Sequence, residues 1–86
     1  MVFVKKLVLD VLKPHQPNAL EFCEAIAKAG IDYRVRLMVL EVDEKTETLQ
    51  ITVEGNAIDA ETLLARINEL GGSLHSIDEV EVHSKA

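Results

Sequence analysis

At 86 residues, 48% hydrophobic and 28% charged, the chain is sized for one small globular domain and is too apolar to remain disordered. Its single cysteine, Cys23, excludes an internal disulfide and a paired-cysteine metal knuckle. The net charge of -6 is uneven: residues 1–40 hold six Lys/Arg and four Asp/Glu, residues 41–86 three and eleven, an acidic second half that argues against gripping a phosphate backbone.

The chain opens on VFVKKLVLDVL, residues 2–12. Leu7, Leu9 and Val11 alternate with Val8, Asp10 and Leu12, which predicts a strand with one buried face. Its lysines lie inside this alternating stretch, unlike the flank of a signal peptide, and no apolar run approaches the roughly 20 residues of a membrane span. A cytoplasmic protein with no membrane and no nucleic-acid partner is expected. The strand is predicted to stop at Lys13-Pro14-His15-Gln16-Pro17, because proline cannot extend a hydrogen-bonded ladder.

Asn18 followed three residues later by Glu21 is a capping-box pattern and starts a helix. Leu20, Cys23, Ile26 and Ala27 give its apolar stripe, and Gly30 its stop. Two strands follow at 33–42 and 48–55, joined through the polar stretch Asp43–Glu47. The second alternates cleanly, with Leu49, Ile51 and Val53 on one face. The first is apolar on both faces, through Leu37 and Val39 on one and Met38, Leu40 and Val42 on the other.

A second helix starts at the N-cap Asp59, with Ile58 before it placed to staple to Leu63. Leu63, Leu64, Ile67 and Leu70 form its stripe, and Gly71-Gly72 ends it. The last strand lies within 74–83, with Val80 and Val82 inward and Glu79, Glu81 and His83 outward. The order is β-α-β-β-α-β over a single domain, residues 1–86. Right-handed crossovers put both helices on one face of a four-stranded antiparallel sheet. That is the α+β, ferredoxin-like βαββαβ arrangement, with strand order 4-1-3-2.

Strand 33–42 is then at an edge, with apolar side chains on both faces and only Arg34 and Arg36 guarding its start. Such an edge invites pairing, so a homo-oligomer is expected, through this strand or the helix-free sheet face.

This fold hosts many functions, and most fail on inventory. The central-strand stretches LVLDVL (7–12) and TLQITVEG (48–55) hold no aromatic residue to stack RNA bases. The first strand–helix loop has no cysteine pair for a heavy metal and no arginine for a phosphate. His75 and Ser76 are adjacent in a strand and point to opposite faces, so no nucleophile–base pair forms. No catalytic residue is assigned.

One end of the sheet gathers Lys13, His15, Asp43, Glu47, His75, Ser76 and Asp78 on a rim. Lys13, His15, His75 and Ser76 are candidates for a small ligand. Asp43, Glu47 and Asp78 are candidates for a hard cation, Ca²⁺ or Mg²⁺, which takes oxygen ligands. Asp10 joins them: it interrupts an apolar central strand on the helix-free face, near Thr52 or Glu54 and Glu81. In an assembly it could enter a carboxylate cluster or a salt bridge to Arg34 or Arg36.

The segments LVLDVLKPHQP (7–17), LEVDEKTETLQITVEG (40–55) and GGSLHSIDEV (71–80) resemble the archaeal family catalogued as domain of unknown function 211, in order and over nearly the whole chain. The resemblance implies a ferredoxin-like fold, ring-like or higher homo-oligomers, and divalent-cation or small-ligand sites, with no settled activity. The polar positions it carries over are Asp10, Lys13, His15, Glu41, Asp43, Glu47 and Glu54, then His75, Ser76, Asp78 and Glu79. Three readings follow: a non-enzymatic oligomeric binding domain with a regulatory role, a structural interaction module without a ligand, or an enzyme with a site between subunits.

Overall fold

The computed structural model describes residues 1–85. Its elements are β1 (Phe3–Pro14), α1 (Ala19–Ala27), β2 (Arg34–Val42), β3 (Thr46–Glu54), α2 (Ala60–Glu69) and β4 (Ser73–His83). The sheet order is β2-β3-β1-β4, with all neighbours antiparallel. This is the expected 4-1-3-2 read from the other edge, and the chain is an α+β domain of ferredoxin-like arrangement.

Alternation places the core. Leu7, Leu9 and Val11 of β1 pair with Val53, Ile51 and Leu49 of β3, and Phe22, Ile26, Leu63 and Ile67 from the two helices close over them. The capping box at Asn18 forms in full: the Glu21 amide donates to Asn18 Oδ1 at 2.9 Å, and the Asn18 amide donates to Glu21 Oε1 at 3.2 Å. Asp59 caps α2, accepting from the Thr62 amide and hydroxyl. Those two bonds, the amide's first, hold its carboxyl below the usual aspartate range.

Helix α2 ends in a Schellman turn. The Gly72 amide donates to Ile67 O at 2.9 Å and the Gly71 amide to Asn68 O at 3.0 Å, with Gly71 at φ +91°, where glycine is favoured. Gly30 has no such φ, and α1 already ends at Ala27. What Gly30 provides instead is room for the Tyr33 ring packed against it. The Tyr33 hydroxyl in turn accepts from the Asp59 amide at 2.8 Å.

Four further sequence-based expectations are corrected. The first strand continues past Leu12 to Pro14, because Lys13 and Pro14 still pair with Glu47 and Thr46. The hairpin is correspondingly tighter, closed by the Asp43 amide donating to Thr46 O at 2.8 Å. On α1 the buried face is Phe22 and Ile26, while Leu20 is 69% exposed. Cys23 is half-buried, and its thiol lies 3.6 Å from Val35 O. Desolvation, with a smaller part from Glu24, pushes that thiol's pKa up and makes it a poor nucleophile.

The fourth correction concerns β4. Val80 and Val82 do pair with core-side Leu7 and Val4, yet they are 53% and 47% exposed. Helices of 9 and 10 residues span only about 15 Å, whereas β4, with 11 residues, runs for roughly 36 Å. The short helix layer leaves the outer strand uncovered. Among the described residues no helix is long and apolar enough to cross a membrane.

Candidate functional site

Extending β1 to Pro14 puts Lys13 on the core face, in phase with Leu7, Leu9 and Val11, and its side chain is fully buried. An ammonium has three protons to donate, and three acceptors surround it: Pro17 O at 2.7 Å, Pro14 O at 2.9 Å and Glu47 Oε1 at 3.0 Å. The Phe22 ring lies 5.9 Å away on the apolar side. Sequence places Lys13 on a wet rim. The structure makes it an internal clamp that holds the β1–α1 loop to β3.

His15 completes the cluster from outside. Its Nδ1 lies 3.1 Å from Glu47 Oε2 and its Nε2 3.0 Å from Glu44 O. Both partners are acceptors, so the ring satisfies both only when it carries both protons. The Glu47 bond first, then the Glu44 carbonyl, raises the His15 pKa above 6.5. The bond to His15, then that to Lys13, lowers Glu47 below 4.5.

The signs define a window. Stability from the raised histidine is complete below its unfolded value of 6.5 and is lost as pH rises through its folded pKa. Stability from the lowered glutamate is complete above 4.5 and is lost as pH falls through its folded pKa. We expect the denaturation-midpoint gap between wild type and His15→Ala to be widest between pH 4.5 and 6.5 and to narrow on either side. A gap unchanged from acid to alkaline pH would show that the latch is not ionic.

The remaining rim residues do not join this cluster. Asp43 is exposed in the hairpin. Ser76 and Asp78 pair with each other, Oγ donating to Oδ1 at 2.6 Å, and Asp78 sits mid-strand, skipped in the register between Glu79 and Ile77. His75 is skipped likewise between Ser76 and Leu74. Asp10 is half-buried on the helix-free face as expected, but its cross-strand neighbours are Gln50 and Ser76, and Arg34 pairs with Glu54. Among the described residues no group of three or more His, Cys, Asp or Glu side chains lies close enough to hold a metal ion.

A second polar region, at the opposite end of the sheet, is not anticipated from the sequence. A groove of about 510 Å³ is lined there by residues including Lys6, Arg34, Glu54, Asn56 and Glu81. Lys5 Nζ donates to Asn56 O at 2.6 Å and Oδ1 at 2.8 Å. These residues come from four separate strands and two loops, so only the cross-strand register brings them together.

The family model described as "Uncharacterized ArCR", the domain of unknown function 211, matches residues 5–85. The chain belongs to this family. An uncharacterized protein of Methanocaldococcus jannaschii is 37% identical over 82 residues, covering 95% of this chain and 84% of that one. This member of the domain of unknown function 211 family therefore has an archaeal relative, and neither description supplies an activity.

Proposed function

We propose that the chain is a cytoplasmic, self-assembling binding domain, regulatory rather than catalytic, in which copies join through exposed strand edges. The observation that carries this reading is the apolar content of the bare edge β2. Met38, Leu40 and Val42 are 52%, 57% and 62% exposed, on a strand whose outer backbone groups have no ladder partner among the described residues. An open edge of this kind is a template for pairing. A divalent cation, Ca²⁺ or Mg²⁺, or a small ligand would be taken where rim residues of two copies meet, with Asp10, Asp43 and Asp78 as the carboxylates on offer, Glu47 being held by Lys13 and His15, and His75 and Ser76 exposed or half-exposed beside them.

A second reading, assembly without any ligand, is favoured by the engagement of Lys13, His15 and Glu47 with one another. Native mass spectrometry before and after chelator treatment tests both. A defined oligomer that loses divalent-ion mass supports the cation-linked form, and an oligomer unchanged by chelator supports assembly alone. A single-chain mass at micromolar concentration would overturn self-assembly.

A further inference from the structure

The groove at the far end of the sheet from His15 owes its character to an irregularity in β1. Alternation turns consecutive strand residues to opposite faces, which would separate Lys5 from Lys6. The pairing of β1 with β4 instead shifts between Val4 and Lys6 and passes over Lys5. A bulge of this kind re-aims a side chain, and both lysines line the groove. Lys6 pairs in register with Glu54 and Glu81, and Glu54 with Arg34, so one charged row crosses all four strands. With Lys5 and Asp32 the lining holds three Lys/Arg and three Asp/Glu, a balanced mixture on a chain of net charge -6.

These charges keep spare capacity. Arg34 reaches Glu54 through one nitrogen at 3.6 Å, and a guanidinium has five protons to donate. The Lys5 ammonium is held by two uncharged oxygens of Asn56 and has no carboxylate partner among the described residues. Asp32 meets the Asn56 amide at 3.3 and 3.5 Å, long for a charge-assisted bond. Glu81 engages His83 through one oxygen, at 2.6 Å. A simple anion here would face three carboxylates and a simple cation three Lys/Arg, whereas a molecule carrying both charges meets both sets. Arg34 and Glu81 stand at opposite ends of the row, about 14 Å apart at the usual strand spacing. Side chains of their length close part of that gap and leave a span that two or three extended residues fill, at about 3.5 Å each.

Going beyond the assembly reading, we propose that this groove binds a short zwitterionic peptide, two or three residues with free termini, its carboxylate at Arg34 and its ammonium at Glu81. Every lining residue comes from one chain, so binding does not require assembly. The volume of about 510 Å³ falls in the range of small-molecule sites. Between the two ends, Glu54 and Lys6 balance each other across the register, and the Asn56 side chain has an amide to offer a peptide carbonyl.

Amide chemical-shift mapping during a titration with trialanine tests this. Shifts are expected at Lys5, Lys6, Arg34, Gly55 and Asn56, and the N-acetylated and C-amidated peptides are expected to bind about tenfold more weakly, each having lost one charge-assisted pairing. Arg34 and Glu81 are exposed, so Arg34→Gln and Glu81→Gln leave the fold intact. Arg34→Gln is expected to weaken trialanine about tenfold and to abolish the preference over the C-amidated peptide, and Glu81→Gln to do the same for the N-acetylated one. No shift in the groove at about 10 mM trialanine, equal binding of the capped peptides, or glycine binding as tightly as trialanine would overturn this site and leave self-assembly standing. A single-chain mass with the titration intact would overturn self-assembly and leave this site standing.

Discussion

Replacing Lys13 with methionine is expected to destabilise the domain by about 3 kcal/mol or more, because breaking one side of a buried ion pair leaves the other groups unmatched. Methionine fills similar space but donates nothing, so Pro14 O, Pro17 O and one Glu47 oxygen lose the proton that each now accepts. At about 4–8 °C per kcal/mol for a domain of this size, the melting temperature falls by at least about 12 °C. Glu47 retains its bond to His15 and is partly exposed, which keeps the loss at the lower end of the range for buried pairs. Changing Lys13→Met and Glu47→Leu together is expected to recover part of the loss, since an apolar pair removes the unmatched charge as well as the bond. Equal melting temperatures for wild type and Lys13→Met would mean that Lys13 is not the clamp described.

Phe22→Ala is expected to lower stability by about 3–5 kcal/mol, the usual result of emptying a fully buried aromatic site. Phe22 has no exposed surface, and it fills the space between the core strands and the turn at Gly72. A Cβ on that glycine would lie 3.0 Å from Phe22 Cζ and 2.8 Å from Ile67 Cγ2. Leu20→Ala, two residues earlier on the exposed side of the same helix, is expected to change stability by no more than about 0.5 kcal/mol. Chemical denaturation of the two variants side by side separates the faces. A larger loss for Leu20→Ala than for Phe22→Ala would mean that α1 is rotated from the orientation described. Phe22 and Lys13 are also close enough to couple, so the double variant is not expected to show the sum of the single losses.

Several features needed no tertiary information because their causes are local. The capping box at Asn18 and Glu21, the cap at Asp59 and the glycine stop after α2 each depend on residues within one or two helical turns. Their side-chain chemistry is written in adjacent positions. The alternation of Leu49, Ile51 and Val53 likewise marks β3 and its inner face. With element order and crossover handedness, those signals were enough to give the strand order.

Other features depended on what each surface met. The α1 sequence offers more than one apolar arc, and only contact with the sheet and the Gly72 turn chose Phe22 and Ile26 over Leu20. Lys13 reads as a loop charge until β3 pairs one row further and carries it inside, where loop carbonyls and Glu47 can match it. The rim came apart for a related reason: β4 skips residues in its pairing at His75 and at Asp78, so adjacent positions in sequence did not become one cluster. Val80 and Val82 have the alternation of a buried face, yet short helices leave them bare. Periodicity in a sequence determines which side chains share a face. Whether that face is covered depends on the length and placement of the layer above it, and that is a property of the assembled fold alone.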